Sequence, residues 1–203
     1  NKILWLTLAF FCVIGSYTVL KEMKDVLFAQ IVGAKYLGTV KVLSMFVLLP
    51  ATLLYAKLVD YLNRFSLLIF YSLLYGVAGC VIAYYLSDPV IGLSNTVASS
   101  DRMFGWFIYL FYEGLVPFVI SVFWAFANSV TSPETAKKGY PILIAGSKLG
   151  GASMAFLAYC MFTPTTFLGR FNFSSVEISQ ILLVGSSILL VISPIIIYFL
   201  LKT

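Results

Sequence analysis

Apolar runs separated by charged or turn-rich breaks divide the chain into six predicted spans, at residues 3–31, 40–62, 65–86, 103–130, 139–162 and 178–201. A helix crossing a bilayer needs about 20 mostly apolar residues, so each run is long enough, and the 203 residues accommodate about six such helices with their connections. Only 65–86 and 178–201 lack any charge. The breaks from Ser87 to Arg102, with Asp88, Pro89, Gly92 and Asn95, and from Thr163 to Glu177, with Pro164, Gly169 and Arg170, are loops by composition. Thr131 to Lys138 leaves room only for a tight helical hairpin.

Composition agrees with the pattern. The chain is 61% hydrophobic and 10% charged, less than half the roughly 25% charge of soluble domains. A soluble domain is excluded, and the fold class expected is all-α, a polytopic membrane protein. The absence of histidine removes imidazole acid-base catalysis, most catalytic zinc and haem sites and the Ser-His hydrolases. Cys12, Cys80 and Cys160 each stand alone in an apolar run, where a thiol behaves as a small hydrophobe. No cofactor or metal is expected, and no nucleic-acid partner. The first span is longer than a signal-peptide core and no A-x-A site follows it, so it is expected to stay. Of the basic residues, Lys2, Lys57, Arg64, Lys137, Lys138 and Lys202 fall on one side of the predicted spans and Lys35, Lys41, Arg102 and Arg170 on the other. That excess predicts a multi-pass protein with both termini in the cytoplasm.

Charges inside the spans cost about 2.5 to 3.5 kcal/mol each unless they face water or a partner. They are Lys21-Glu22-Met23-Lys24-Asp25, Lys57, Glu113 and Lys148. Helical spacing pairs Lys21 with Asp25 one turn on and leaves Lys24 free. The alternative ends the first span at Leu20, with the cluster snorkelling at the interface. Glu113, Pro117, Ser121, Trp124 and Asn128 fall within about one quarter of a helix circumference, a polar stripe suited to a cavity wall. Pro117 cannot bond the carbonyl of Glu113, which predicts a kink there. The bland alternative for Glu113 is a structural pair with a lysine, Lys148 being one candidate. Gly146, Ser147, Gly150 and Gly151 form overlapping small-xxx-small pairs and predict close helix packing.

Two resemblances follow. Ala56-Lys57-Leu58-Val59-Asp60-Tyr61-Leu62-Asn63-Arg64 is similar to the cytoplasmic loop between the second and third helices of major facilitators. That implies a six-helix bundle over 1–203 forming the N-terminal half of a twelve-helix transporter, an expectation also drawn from the start at Asn1. The segment Tyr17-Thr18-Val19-Leu20-Lys21-Glu22-Met23-Lys24-Asp25 resembles the first helix of the ATP/ADP translocases of plastids and obligate intracellular bacteria. Phe123-Trp124-Ala125-Phe126-Ala127-Asn128, followed by Thr131, Ala136, Lys137, Tyr140 and Pro141, is similar to that family's F-W-x-F-A-N region, and Leu49-Pro50 and Leu54 to Leu58 match in the second span. The resemblance covers most of residues 10–63 and 104–151. It implies transport roles for Lys24 and Glu113, while Lys148 stands where the family has Asn.

The candidate substrate-binding set is Lys21, Lys24, Glu113, Asn128 and Lys148. Its lysines would bind the phosphates of a nucleotide, ATP, ADP or a relative, carried by alternating access. The expected partners are that nucleotide, membrane lipid and the second six-helix half of the same protein. Gly146-Ser147-Lys148-Leu149 is not a phosphate-binding P-loop, so ATP would be cargo and not fuel. The competing reading is a non-transporting assembly or sensing module whose buried charges pair only with one another. An intramembrane aspartyl protease is disfavoured, because Asp60, Asp88 and Asp101 are read as loop residues.

Overall fold

A computed structural model of the protein describes residues 2–202. Asn1, Thr203 and the side chain of Asp60 in the expected 56–64 connection lie outside the described residues. Among the described residues the regular elements are all helical. Five stretches are long and apolar enough to cross a membrane, where the sequence predicts six. The difference lies in the first two spans, which join into one helical run of 58 residues, Lys2–Val59. At about 1.5 Å per residue such a run would measure ~87 Å straight, against a ~30 Å hydrocarbon core. It is not straight. Helix α1 (Lys2–Phe28) passes through a π-helical turn (Ala29–Gly33) and a 3-10 turn (Ala34–Tyr36) into α2 (Leu37–Tyr61). Gly33, at φ +121°, makes the reversal, a backbone state that costs glycine little and other residues much. The expected break is present, built from tight helical turns.

The remaining elements are α3 (Arg64–Tyr85), α4 (Met103–Glu113), a π-helical turn (Val116–Ile120), α5 (Ser121–Val130), α6 (Pro133–Phe162) and α7 (Ser175–Lys202). Capping residues set several starts. Asn63 accepts from the Ser66 amide at 2.8 Å at the head of α3, and Ser132 caps α6, which therefore begins six residues before its expected start. At α7, Ser174 and Glu177 form a reciprocal capping box, with Ser174 N–H donating to Glu177 at 2.7 Å and Glu177 N–H to Ser174 at 3.2 Å. Residues 87–102 are the expected loop. Arg102 holds it together by donating to the carbonyls of Asn95 and Val97, at 3.0 and 2.9 Å, and to those of Ile91 and Gly92.

Helix α1 is the centre of the packing, with α6 and α7 along its length and α4 beside its C-terminal half. Phe10 stacks on Phe123 at 4.4 Å, and Phe28 meets Trp106 and Tyr109 at 5.1 and 5.3 Å, so α4 and α5 run antiparallel to α1. Helix α6 runs parallel to α1: Gly139 lies against Ile3, Gly146 against Thr7 and Gly150 against the backbone of Phe11. A Cβ on Gly150 would collide with the Phe11 carbonyl, so the small residues of α6 permit backbone contact, as their spacing predicts. Helix α7 returns antiparallel, with Ser16 Oγ donating to the Ser186 carbonyl at 2.7 Å. Helix α2 lies at the margin. Tyr55 reaches Tyr71 and Phe118, while Met45, Phe46, Leu49, Leu53 and Leu54 are exposed.

Candidate functional site

The site forms where the C-terminal half of α1 crosses the end of α4. Lys24 faces inward between the core residues Met23 and Leu27, and its side chain is only 9% exposed. Such a cation is costly in an apolar span unless partnered, and Lys24 has three partners. Its Nζ stands 3.0 Å from Asp25 Oδ1, 2.8 Å from Glu113 Oε2 and 4.0 Å from the centroid of the Tyr109 ring. The Asp25 contact is an aligned hydrogen bond. The Glu113 contact is a close ion pair between two helices, and Oε2 is shut away from solvent. The face of Tyr109 adds cation–π attraction.

This arrangement corrects the expected pairing. Lys21 does not neutralise Asp25; it is exposed, with Glu22 as its near carboxylate at 3.8 Å. Asp25 serves Lys24 instead, so Lys24 is not the free cation of the sequence reading. Adjacent helical residues point about 100° apart, which is why spacing alone misses the contact. The long lysine side chain bridges the angle, its Nζ donating to Asp25 Oδ1. The first helix does not end at Leu20 but continues to Phe28, and Glu113 does not pair with Lys148. Glu113 pairs with Lys24, the structural pair that was the alternative for this residue. Tyr109 was missed altogether, yet it lies four residues before Glu113 and so on the same helical face.

Helix α4 ends at Glu113, and the backbone continues through Gly114 into the π-helical turn Val116–Ile120 before α5 resumes. The irregularity at Pro117 is the expected one, since proline has no N–H to return to the Glu113 carbonyl. Phe118 N–H bonds the Gly114 carbonyl at 3.0 Å instead. The stripe also forms. Glu113, Pro117 and Trp124 are half-buried and Ser121 and Asn128 exposed, while Val122, Phe123, Phe126 and Ala127 turn into the core. Asn128 is tied to α6: its Oδ1 accepts from Tyr140 OH at 2.6 Å, beside the Trp124–Tyr140 edge contact.

Lys148 is not part of the cluster. It is exposed on α6 and makes no ion pair among the described residues. Gly146 and Gly150 lie against Thr7 and Phe11, so Lys148 sits level with residue 9 of α1, about 22 Å along the helix axis from Lys24 at ~1.5 Å per residue. Lys57 is likewise exposed. The structure therefore joins Lys24, Asp25, Glu113 and Tyr109, and leaves Lys21, Asn128 and Lys148 as separate exposed residues.

Chemically, the cluster is a desolvated cation held by two carboxylates and an aromatic face. The described residues hold no group of three or more Cys, Asp or Glu side chains able to bind a metal ion. The cluster's contacts are electrostatic. The chain is 30% identical over 171 residues to ADP,ATP carrier protein 1, chloroplastic, of Arabidopsis thaliana, covering 73% of this chain and 27% of that protein. Against the plastidic ATP/ADP-transporter of Solanum tuberosum it is 29% identical, covering 73% and 27%. Against ADP,ATP carrier protein 3 of Rickettsia felis it is 29% identical, covering 68% and 31%. The chain thus spans about three tenths of the length of these relatives. No solved structure matches it. The family model for the TLC ATP/ADP transporter matches residues 1–203, and this multi-pass membrane chain belongs to that family.

Proposed function

We propose that the chain is the N-terminal half of a secondary transporter for a phosphorylated nucleotide, with ATP and ADP the first candidates. The observation that carries this reading is the Lys24 cluster: a nearly buried cation held where α1 meets α4, above a polar stripe that runs down the open side of α5. A single helical half leaves that side facing lipid, whereas a second half of the same protein would close it into a water-filled cavity with the substrate at the interface. Alternating access then follows from rocking of one half against the other. Lys24 binds phosphate, and the exposed Lys21 and Lys148 draw the anion along the cavity wall. The names of the relatives, carriers of ADP and ATP, support the choice of cargo. The nucleotide is carried and not hydrolysed, the termini of this segment are cytoplasmic, and the membrane is the bacterial cell membrane.

One observation favours a second reading. Lys24 is already satisfied by Asp25 and Glu113, as a purely structural charge cluster in a non-transporting module would be. Uptake of labelled ATP and ADP into liposomes containing the full-length protein separates the two. Saturable uptake supports the transporter, and uptake no greater than in empty liposomes supports the module.

A further inference from the structure

The geometry points to Glu113 as a competitor that the substrate must displace: phosphate bound at Lys24 takes the place of the Glu113 carboxylate and thereby unlatches α4 from α1. This rests on the proposed role of Lys24 as phosphate ligand. With its three charged members ionised, the cluster of Lys24, Asp25 and Glu113 carries a net charge of −1, one cation against two carboxylates. Tyr109 contributes only its neutral ring, and Lys21, one turn back on α1, is exposed beside Glu22. A phosphate brought to such a site is repelled unless it replaces one of the carboxylates, whose oxygens it resembles in charge and in acceptor geometry.

The two carboxylates are not equally replaceable. Asp25 follows Lys24 in the chain, takes an aligned hydrogen bond from it and moves with it. Glu113 comes from another helix. Its Oε2 lies 2.8 Å from Nζ, and its side chain is 32% exposed, so water is within reach when it turns away. It is also the last residue of α4, directly before Gly114 and the π-helical turn at Pro117, where the helix can bend at least cost. Among the described residues the Lys24–Glu113 contact is the ion pair that joins two helices. Substrate binding would therefore remove the charge bridge between α1 and α4 at the point where the α4–α5 stretch is irregular. Such a contact, present without substrate and lost with it, differs in free energy between the two states, as a ligand-driven conformational change requires.

The test is equilibrium binding of labelled ATP and ADP to the purified full-length protein, paired with uptake in liposomes. Glu113→Gln keeps the shape and removes the competing charge. Both nucleotides are expected to bind it at least about tenfold more tightly, in line with the coupling energies of close charge pairs, while uptake at saturation slows because the latch no longer re-forms. Glu113→Asp, which keeps the charge but shortens its reach, is expected to tighten binding by a smaller factor and guards against poor folding of the Gln variant. Unchanged or weaker binding in these variants, with binding lost in Lys24→Gln, overturns the displacement and leaves Lys24 as phosphate ligand. Wild-type binding in Lys24→Gln overturns the reading on which it rests. A purely structural role for Glu113 cannot give tighter binding with slower transport.

Discussion

Removing the Lys24 charge strands two carboxylates that now share it, and the cost follows from their burial. Breaking a fully buried ion pair by deleting one partner costs about 3–5 kcal/mol, because the other charge is left uncompensated. Here the side chains of Asp25 and Glu113 are 37% and 32% exposed, so water takes up part of each orphaned charge, and Lys24→Gln is expected to cost about 1–3 kcal/mol of stability. Adding Glu113→Gln removes one of the orphans. The double variant is therefore expected to be less destabilised than the sum of the two single variants, with a coupling on the order of 1 kcal/mol or more. Unfolding of the full-length protein in detergent, followed by tryptophan fluorescence, gives the four corners of the cycle. Trp106 is a suitable reporter, since it packs edge-on against Phe28 of α1 at 5.1 Å from the α4 side. Strict additivity, or a Lys24→Gln variant as stable as wild type, would refute the argument that Glu113 and Lys24 neutralise each other.

The other expectations are simpler. Gly150→Leu should destabilise the protein by about 1–3 kcal/mol, because the side chain would enter the space held by the Phe11 backbone and overpacking forces backbone shifts; wild-type stability of this variant would contradict the close α1–α6 approach. Lys148→Gln and Glu113→Gln should act additively on unfolding, since the two residues lie at different levels and share no partner; measurable coupling would contradict the separation. In the 87–102 loop, the amides of Ile91 and Val90 hold the Asp88 carboxyl below the usual carboxylate range by bonding its Oδ1. A lowered value in the folded state means that the turn keeps its full support above the ordinary carboxylate range and loses it as pH falls through the lowered value. The Val90 and Ile91 amide resonances should report that acid step, and Asp88→Asn should abolish it.

Much of this was legible in the sequence because bilayer physics writes in long runs. Apolar length and charge gaps locate the helices to within a few residues, except where capping by Ser132 carries α6 back to Pro133. Helical periodicity finds the stripe from Glu113 to Asn128, and the missing proline N–H finds the irregular turn at Pro117. What periodicity does not see is side-chain reach. It assigns Asp25 to Lys21 because those residues share a face, whereas burial turns Lys24 toward both its chain neighbour and Glu113. It likewise treats Lys148 as a possible partner of Glu113, because levels along different helices become comparable only once α1 and α6 are set in register by Gly146 and Gly150. The break between the first two spans is legible in the gap from 31 to 40 but not in kind, since π and 3-10 turns have no composition of their own.

The account stands most directly on Lys24 as the residue that holds phosphate. Uptake of labelled ATP at subsaturating concentration should be compared in liposomes carrying the full-length wild-type protein and the Lys24→Gln variant, reconstituted to equal amounts of folded protein. Loss of a desolvated charge–phosphate contact costs roughly 2–5 kcal/mol, so uptake by Lys24→Gln is expected to fall by at least about tenfold. Uptake by Lys24→Gln equal to that of wild type would contradict the account.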